Sequence, residues 1–437
     1  MTGTHRVVVL GGGFGGLHAV KALKSAAVSV TLIDRHNYHL FQPLMYQVAT
    51  GSLSPGEIAA PLRGILRRQK NARVLLGEAT DVDPASRQVT LEDGSTLEYD
   101  SLIVATGSQT SYFGNDLWQA WAPSLKTVEE AVTVRHKILY AFEAAERVAD
   151  PEARSAWLTF VIVGAGTTGL ELGGALAEIA QETLRHDFRS IHPEAARIIL
   201  MEGAPRVLPT YPEDLSAKAE RLLIKLGVQV RKNVRVVGVD REGVTLQTDR
   251  GTERVAARTI LWAAGVTASD FGRKLAARTG AETDRAGRIR VNPDLTIPGY
   301  PDIYVVGDLA LARRPDGEQL PGVAQVAMQG GAYAAKAILH RLDGPKALPP
   351  FRYFDKGDLA VIGRAAAVAD IFGFHVSGWP AWIVWVFIHL MYLVQFQSRI
   401  LVFIQWGFQY LTFSRGARLI TGSADSDWPR QNSRSGG

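Results

Sequence analysis

The sequence predicts an α/β protein made of two parallel-sheet units, the second inserted in the first, with a hydrophobic helical region at its C-terminus. Three observations predict this. A short apolar strand runs into a glycine cluster twice, within residues 6–16 and 159–169. Each cluster opens a helix that leads to a strand ending in an acid, Asp34 in the first case and Glu202 in the second. Between residues 379 and 413 the one residue with a full charge is Arg399.

The elements follow in order. Residues 6–10 form a buried strand, because four apolar residues lead directly into the glycines. Residues 14–25 read as a helix and 28–33 as a second strand, closed by Asp34. Strands at 73–76, 82–83, 88–91 and 95–99 make a meander, with Asp93-Gly94 as a hairpin turn. A strand at 102–104 ends in Ala105-Thr106-Gly107, and residues 125–149 form a bridging helix. The pattern then restarts with a strand at 159–163, a helix at 170–185 and a strand at 197–201. A helix at 215–225 precedes a second meander of strands at 228–231, 234–240, 243–248 and 254–257. The strand at 259–263 runs into Ala264-Gly265. The strand at 303–306, ended by Gly307-Asp308, has no place left in the second unit and is assigned to the first sheet. The expected divisions are 1–120 and 291–348 for the first domain, 121–290 for the second, 349–420 for the C-terminal region and 421–437 for a polar, disordered tail.

Composition narrows the chemistry. The chain has 437 residues, 46% apolar and 21% charged, as folded proteins of two or three domains do. Its 48 Lys and Arg against 43 Asp and Glu leave a net charge of +5, with no basic run dense enough for nucleic acid. Cysteine is absent, which excludes disulfide scaffolds, thiolate metal sites, thiol nucleophiles and dithiol redox chemistry. The N-terminus lacks a signal-peptide layout, since residues 7–10 are too short for an apolar core.

Gly11, Gly13 and Gly16 form G-x-G-x-x-G between strand and helix, with Phe14 inside it. The first Gly makes the turn, the second lets a pyrophosphate approach the backbone, and the third lets helix pack on strand. The helix N-terminus offers N–H groups to that pyrophosphate. Asp34 stands where a carboxylate can accept ribose hydroxyls. Gly164, Gly166 and Gly169 repeat the motif, and Glu202 repeats the acid. A carboxylate there favours a 2′-hydroxyl over a 2′-phosphate, hence NADH over NADPH, with Arg206 close enough in sequence to weaken the preference. The chain therefore holds two Rossmann-like dinucleotide-binding domains. Two nucleotides in one chain imply transfer between them, most economically between a flavin and a nicotinamide. The glycines alone leave open which site holds which.

Further residues carry a resemblance. They are Gly11–Gly16 with Asp34, the stretch at 41–51, Ala105-Thr106-Gly107, the second glycine turn with Glu171, residues 261–266, Gly307-Asp308 and the segment 324–329. Over residues 5 to about 420 the sequence resembles the flavoproteins with two dinucleotide-binding domains, and among them the type II NADH dehydrogenases, which are single-subunit, non-pumping NADH:quinone oxidoreductases. The resemblance implies FAD in the first domain, at Gly11, Gly13, Phe14, Gly16, Asp34, Ala105, Thr106, Gly107, Gly307, Asp308, Ala324 and Gln325. It implies NADH as co-substrate in the second, at Gly164, Gly166, Gly169, Glu202 and Gly265. Gln325 and Gln329 would lie beside the isoalloxazine and line the pocket for a quinone, ubiquinone or menaquinone. At i and i+4 they share one helix face, and a neutral amide can donate to a quinone carbonyl. Glu171 would face the flavin–nicotinamide junction and position NADH or relay protons. A carboxylate in the first turn of a helix is also favoured by the helix dipole alone. Glu178 shares its face and reads as structural. The sequence departs from relatives that need cysteines beside the flavin, so sulfide chemistry is excluded. Asp34 stands where many of them carry Glu.

The C-terminal region has its own reading. Residues 379–394 are apolar apart from His389, a run of sixteen against the roughly 20 that a spanning helix needs. Polar residues at 395–399 interrupt it, and 400–413 is a second run. Trp379, Trp382, Trp385 and Trp406 favour an interfacial depth. The expectation is an amphipathic, helical membrane anchor that opens the quinone pocket to the bilayer, with Arg399, Arg415 and Arg418 meeting anionic lipid. A spanning helix and a protein-buried helix, such as one at a homodimer interface, are the alternatives. His389 has no ligand constellation around it, and no metal is expected. The enzyme would be peripheral, on the cytoplasmic side of the cell inner membrane. The rival readings are an NADH-dependent reductase of ferredoxin or rubredoxin, and a redox-sensing flavoprotein like apoptosis-inducing factor.

Overall fold

The computed structural model describes residues 4–344 and 348–421, so most of the expected polar tail lies outside the described residues. Two parallel sheets organise it. The first runs in the order Thr296–Ile297, Tyr300–Val305, Ser101–Val104, His5–Leu10, Val28–Asp34 and Ala72–Leu76, antiparallel only at the Thr296–Ile297 edge. Its strands read as near-continuous Val, Leu and Ile because both faces are covered. The second has the order Val228–Arg231, Arg197–Met201, Thr159–Val163 and Thr259–Trp262, all parallel. The chain leaves the first sheet after Val104 and returns at Tyr300–Val305, where Ile303 pairs with Leu102. The outgoing Ser108–Thr110 and returning Val266–Ala268 segments pair with each other, so the two crossings form one hinge-like ladder.

Glycines set how close the helices come. Helix Phe14–Ala22 crosses helix Ala324–Asp343 so tightly that a Cβ on Gly331 would collide with the Gly15 carbonyl. This contact brings both helix N-termini to the same end of the first sheet. Helix Thr167–Glu178 meets the C-terminal sheet in the same manner, with Gly174 against the Ile362 carbonyl.

Several elements differ from expectation. The first helix stops at Ala22, where Leu23 breaks the helical geometry. The second glycine helix starts at Thr167 and, after Glu178, loosens into a π-turn over Ile179–Thr183. The bridging helix is Val128–Arg147, opened by a capping box in which Thr127 and Glu130 bond each other's backbone N–H. Three features carried no clear sequence signal: the small Tyr38–Leu40/Ala59–Pro61 ladder, the helix Met45–Ala49, and the sheet Asp358–Gly363, Ala366–Ile371, Phe374–Ser377.

The C-terminal helices are Trp379–Tyr392 and Phe396–Thr412. Their inner faces bury Ala381 and Trp385, and Ser398, Val402 and Trp406. Their outer faces expose Trp379, Ile383, Phe387 and Met391, then Phe396, Ile400, Phe403, Ile404, Phe408 and Leu411. No helix among the described residues is long and apolar enough to cross a membrane. The expectation of three lipid-facing arginines is corrected for Arg415 and Arg418, whose charges are paired with carboxylates of the protein. Arg415 is buried against Glu178 at 3.0 Å, Arg418 pairs with Asp187, and Arg399 donates to the Leu393 carbonyl at 2.7 Å. A cation buried at the foot of a helix needs an internal partner, and Glu178 supplies it.

Candidate functional site

The two glycine turns are built alike, atom by atom. Gly11 and Gly164 have φ of +96° and +101°, which favours glycine. A Cβ on Gly16 would strike the Gly11 carbonyl, and one on Gly169 would strike that of Gly164. The middle glycines differ from these. A Cβ at Gly13 or Gly166 would meet nothing within 4 Å, so each turn keeps open space in front of its second glycine. Asp34 accepts from the backbone N–H of Gly12 at 2.5 Å and of His36 at 2.7 Å. Glu202 accepts from Ala165 N–H at 2.7 Å and Ala204 N–H at 2.9 Å. Each acid thus fixes its turn, and each oxygen keeps a further lone pair for a ligand hydroxyl. Arg206 is engaged with the Tyr211 and Pro209 carbonyls at 3.0 and 2.8 Å.

A cleft of about 1460 Å³ lies in front of the first turn. Gly11, Gly13, Phe14, Asp34, Ala105, Thr106, Gly107, Gly307, Asp308, Ala324 and Gln325 line it. Gly16 sits beneath, packed on its own strand. Asp308, in the single turn Gly307–Leu309, accepts from Ser108 Oγ at 2.8 Å, and Lys126 donates to that hydroxyl at 3.1 Å. Thr106 and Ser269 share a hydroxyl hydrogen bond of 2.7 Å across the two crossing segments. The cleft reaches the second turn at Thr167, Thr168 and Glu171, whereas Gly164, Gly166, Gly169, Glu202 and Gly265 stand outside it. The Glu171 carboxyl is buried and makes no hydrogen bond among the described residues. Burial raises its pKa well above the usual carboxylate value, which favours the protonated form.

The two glutamines part company. Gln325 lines the cleft, donates to the Gly357 carbonyl at 3.2 Å and leaves its own buried Oε1 without a donor among the described residues. Gln329 is fully engaged with Phe354, donating to its carbonyl at 3.0 Å and accepting from its N–H at 2.9 Å. It does not line the cleft.

A second cavity, of about 110 Å³, lies between the C-terminal helices and helix Thr167–Glu178. Trp382, Trp385, Trp406, Tyr410 and Phe413 give it aromatic walls, and Arg364, Glu178 and Arg415 give it charge. The Arg364 guanidinium stands over the Tyr410 and Phe413 rings at 4.2 and 4.1 Å. Among the described residues, only Glu171 and Tyr46 line both cavities.

Comparison with known proteins agrees with this architecture. The family model described as pyridine nucleotide-disulphide oxidoreductase matches residues 5–331, and an NDH2 C-terminal domain matches residues 356–415. The chain is 48% identical, over 95% of its length and 90% of the other's, to the type II NADH:quinone oxidoreductase Ndh of Mycobacterium tuberculosis. The chain belongs to the type II NADH:quinone oxidoreductase family.

Another type II NADH:quinone oxidoreductase, from Staphylococcus haemolyticus, is 30% identical over 85% of this chain and 91% of that protein. In three dimensions the fold is shared with NDH2 of Plasmodium falciparum, solved in complex with NADH, at a TM-score of 0.85 and 20% identity over 95% and 99% of the two chains. It is also shared with the sulfide:quinone oxidoreductase of Aquifex aeolicus, at a TM-score of 0.72 and 18% identity over 91% and 92%. Against that second fold relative, the absence of cysteine from this member of the type II NADH:quinone oxidoreductase family leaves no thiol for sulfide chemistry. Residues that sequence reasoning gave no role include His39, whose Nδ1 donates to the Gly12 carbonyl at 2.9 Å, and Tyr46, Gln47 and Arg364 around the second cavity. Tyr46 and Gln47 lie in the quoted 41–51 stretch. Their partners are more than 350 residues away in Trp406 and 120 or more away in Glu171, so no local pattern marks them.

Proposed function

We propose that this protein oxidises NADH and reduces a membrane quinone through bound FAD, without moving protons across the membrane. FAD, when bound, supplies the ring that accepts hydride from NADH and hands the electron pair to the quinone. The first turn fits the dinucleotide because Gly13 keeps its Cβ space open and the helix beginning at Phe14 presents N–H groups there. Asp34 would hold the adenosine ribose and Asp308 the ribityl–phosphate region. The Gln325 Oε1, buried and without a donor, suits a ligand N–H. Gln329 serves the same site by holding the 354–357 segment. Gly164, Gly166, Gly169, Glu202 and Gly265 would take NADH, and the occupied Arg206 supports a preference over NADPH.

The single observation that carries the reading is the juncture of the two cavities. A dinucleotide cleft meets an aromatic cavity between two helices with exposed apolar outer faces, and Glu171, whose neutral form burial favours, stands at the meeting point. The quinone would reach the cleft through that second cavity. Glu171 would give a proton to a quinone oxygen as electrons arrive, and positioning rather than covalent chemistry would supply most of the rate. The exposed apolar faces would lie in the headgroup region of the inner membrane on its cytoplasmic side, where NADH is present.

The deciding assay follows NADH oxidation with a short-chain ubiquinone or menaquinone analogue, beside NADPH and beside a ferredoxin-type acceptor. The expected outcome is a yellow protein that uses NADH and quinone and neglects the other two. A colourless protein, or preference for the protein acceptor, would end this reading. A Gln325→Leu variant with full quinone turnover would remove the assignment of Gln325.

A further inference from the structure

Tyr46 lies on the helix Met45–Ala49, buried at the wall between the two cavities. Its hydroxyl is held by a chain whose direction the chemistry fixes. The Trp406 indole can only donate, and it donates to Gln47 Oε1 at 2.7 Å. The Gln47 amide is thereby oriented, and its NH₂ donates to the Tyr46 hydroxyl oxygen at 2.9 Å. The tyrosine oxygen is therefore an acceptor on that side, and its own hydrogen must point elsewhere. All three side chains are buried, so water does not compete for these bonds.

We propose that Tyr46 relays protons from the second cavity to Glu171 during quinone reduction, with Gln47 and Trp406 as the positioning residues that aim its hydroxyl. The relay rests on the quinone-reductase reading above. The step balances simply. Glu171 would give its proton to a quinone oxygen, with the electrons coming from the flavin that the first turn would hold. The Tyr46 O–H bond then breaks as a proton passes to the Glu171 carboxylate, directly or across one cavity water, and a proton drawn from bulk solvent through the cavity water restores the Tyr46 hydroxyl in the same motion. No charge remains on the tyrosine. Two passes supply the two protons that a quinol carries.

The groups facing the relay are few. Glu171, Glu178 and Arg415 act electrostatically on Tyr46, and Glu171 acts likewise on Tyr211. Arg364 adds a further charge to the cavity wall. Burial pushes the Tyr46 hydroxyl well above the usual tyrosine value, which suits a neutral relay and not a stable tyrosinate. The indole that aims the relay belongs to a helix whose opposite face is apolar and exposed, so the geometry at Glu171 is tied to the seating of that helix.

The test compares Tyr46→Phe and Trp406→Phe with the parent, each loaded with FAD. NADH turnover is measured with ferricyanide, which takes electrons alone, and with a short-chain quinone, which also takes protons. Tyr46→Phe should lose quinone turnover about tenfold more than ferricyanide turnover, in kcat and not in quinone KM. Trp406→Phe keeps an aromatic ring but frees Gln47, and its quinone turnover should fall off at a lower pH than the parent's. Equal losses with both acceptors, or an unchanged pH profile in both variants, would overturn the relay. Should Tyr46→Phe fail to bind FAD, the Trp406→Phe profile decides. A parent enzyme inactive with quinone would instead refute the function on which the relay rests.

Discussion

A methyl group on Gly13 or Gly166 meets no protein atom, whereas on Gly16 or Gly169 it meets a carbonyl oxygen. The four glycines therefore separate ligand space from packing. Gly13→Ala should fold with near-parental stability and yet retain less flavin, read as absorbance per protein after desalting. Gly166→Ala should keep its flavin and raise the KM for NADH about tenfold, since the methyl fills the space a pyrophosphate needs. Flavin loss from Gly166→Ala would exchange the two site assignments. A second residue, His39, ties the first turn to acid stability. Burial lowers its pKa to about 4, against 6.5 for a free imidazole, and its Nε2 is buried without a partner. Between those values the unfolded chain binds a proton that the folded protein refuses. Its contribution to stability is thus complete above pH 6.5 and declines as the pH falls to 4, by on the order of 2–3 kcal/mol. His39→Gln should flatten the pH dependence of the urea midpoint across that window, and an unchanged slope would show that His39 does not set it. The glycines and acids of these turns were legible because strand, turn and helix periodicities agree around them. The hydrogen bonds from Asp34 to Gly12 and from Glu202 to Ala165 were not, because they close loops of 22 and 37 residues that no local pattern describes.

Among the elements, the last helix is the one whose placement depends most on polar ties. Gln405 bonds Glu57, Trp406 bonds Gln47 at 2.7 Å, and Gln409 bonds the Ser52 carbonyl at 2.6 Å. Beyond the helix, Arg415 reaches Ser52 Oγ at 2.7 Å and Glu178 at 3.0 Å. These ties seat an otherwise apolar helix in one register on the 46–57 segment, where hydrophobic contact alone would allow sliding. Removing one member of the buried pair strands the other charge. Glu178→Gln should cost about 3 kcal/mol in thermal or urea unfolding, while Arg418→Ala, at a half-exposed pair, should cost less than about 1. Equal effects would mean that Arg415 finds water after all. The sequence marked this region as helical from its apolar runs, yet the helix begins at Phe396, inside the polar stretch read as an interruption. The C-terminal sheet escaped notice for a related reason. Its strands carry Gly363 and the Ala365–Ala366–Ala367 run, of low strand propensity, and its turns need positive φ at Ala365 and Phe372, which neither residue advertises.

For the whole molecule, the decisive asymmetry is between a polar body with two nucleotide turns and one apolar face. Hydropathy located that face in the chain but could not orient it, since residues 379–394 are apolar almost all round. Packing on the C-terminal sheet turns Ala381 and Trp385 inward, and Ile383, Phe387 and Met391 are left outward by the helical period. The outward residues of the second helix, Phe403, Phe408 and Leu411, lie on the face opposite Val402 and Trp406, away from both cavities. A combined Phe403→Ser, Phe408→Ser, Leu411→Ser variant should therefore weaken capture by liposomes on the order of 1000-fold, because each side chain withholds roughly 1.5 kcal/mol of apolar burial. NADH turnover with ferricyanide should persist, since none of the three touches the cleft. Because Arg399, Arg415 and Arg418 are engaged within the protein, parental binding should owe little to anionic lipid and should survive about 0.5 M salt, where surface attraction is screened. Flotation with neutral and anionic vesicles reads both outcomes. Binding that is lost in salt and indifferent to the three serines would move membrane attachment away from this face altogether, and with it the route by which a quinone reaches Glu171.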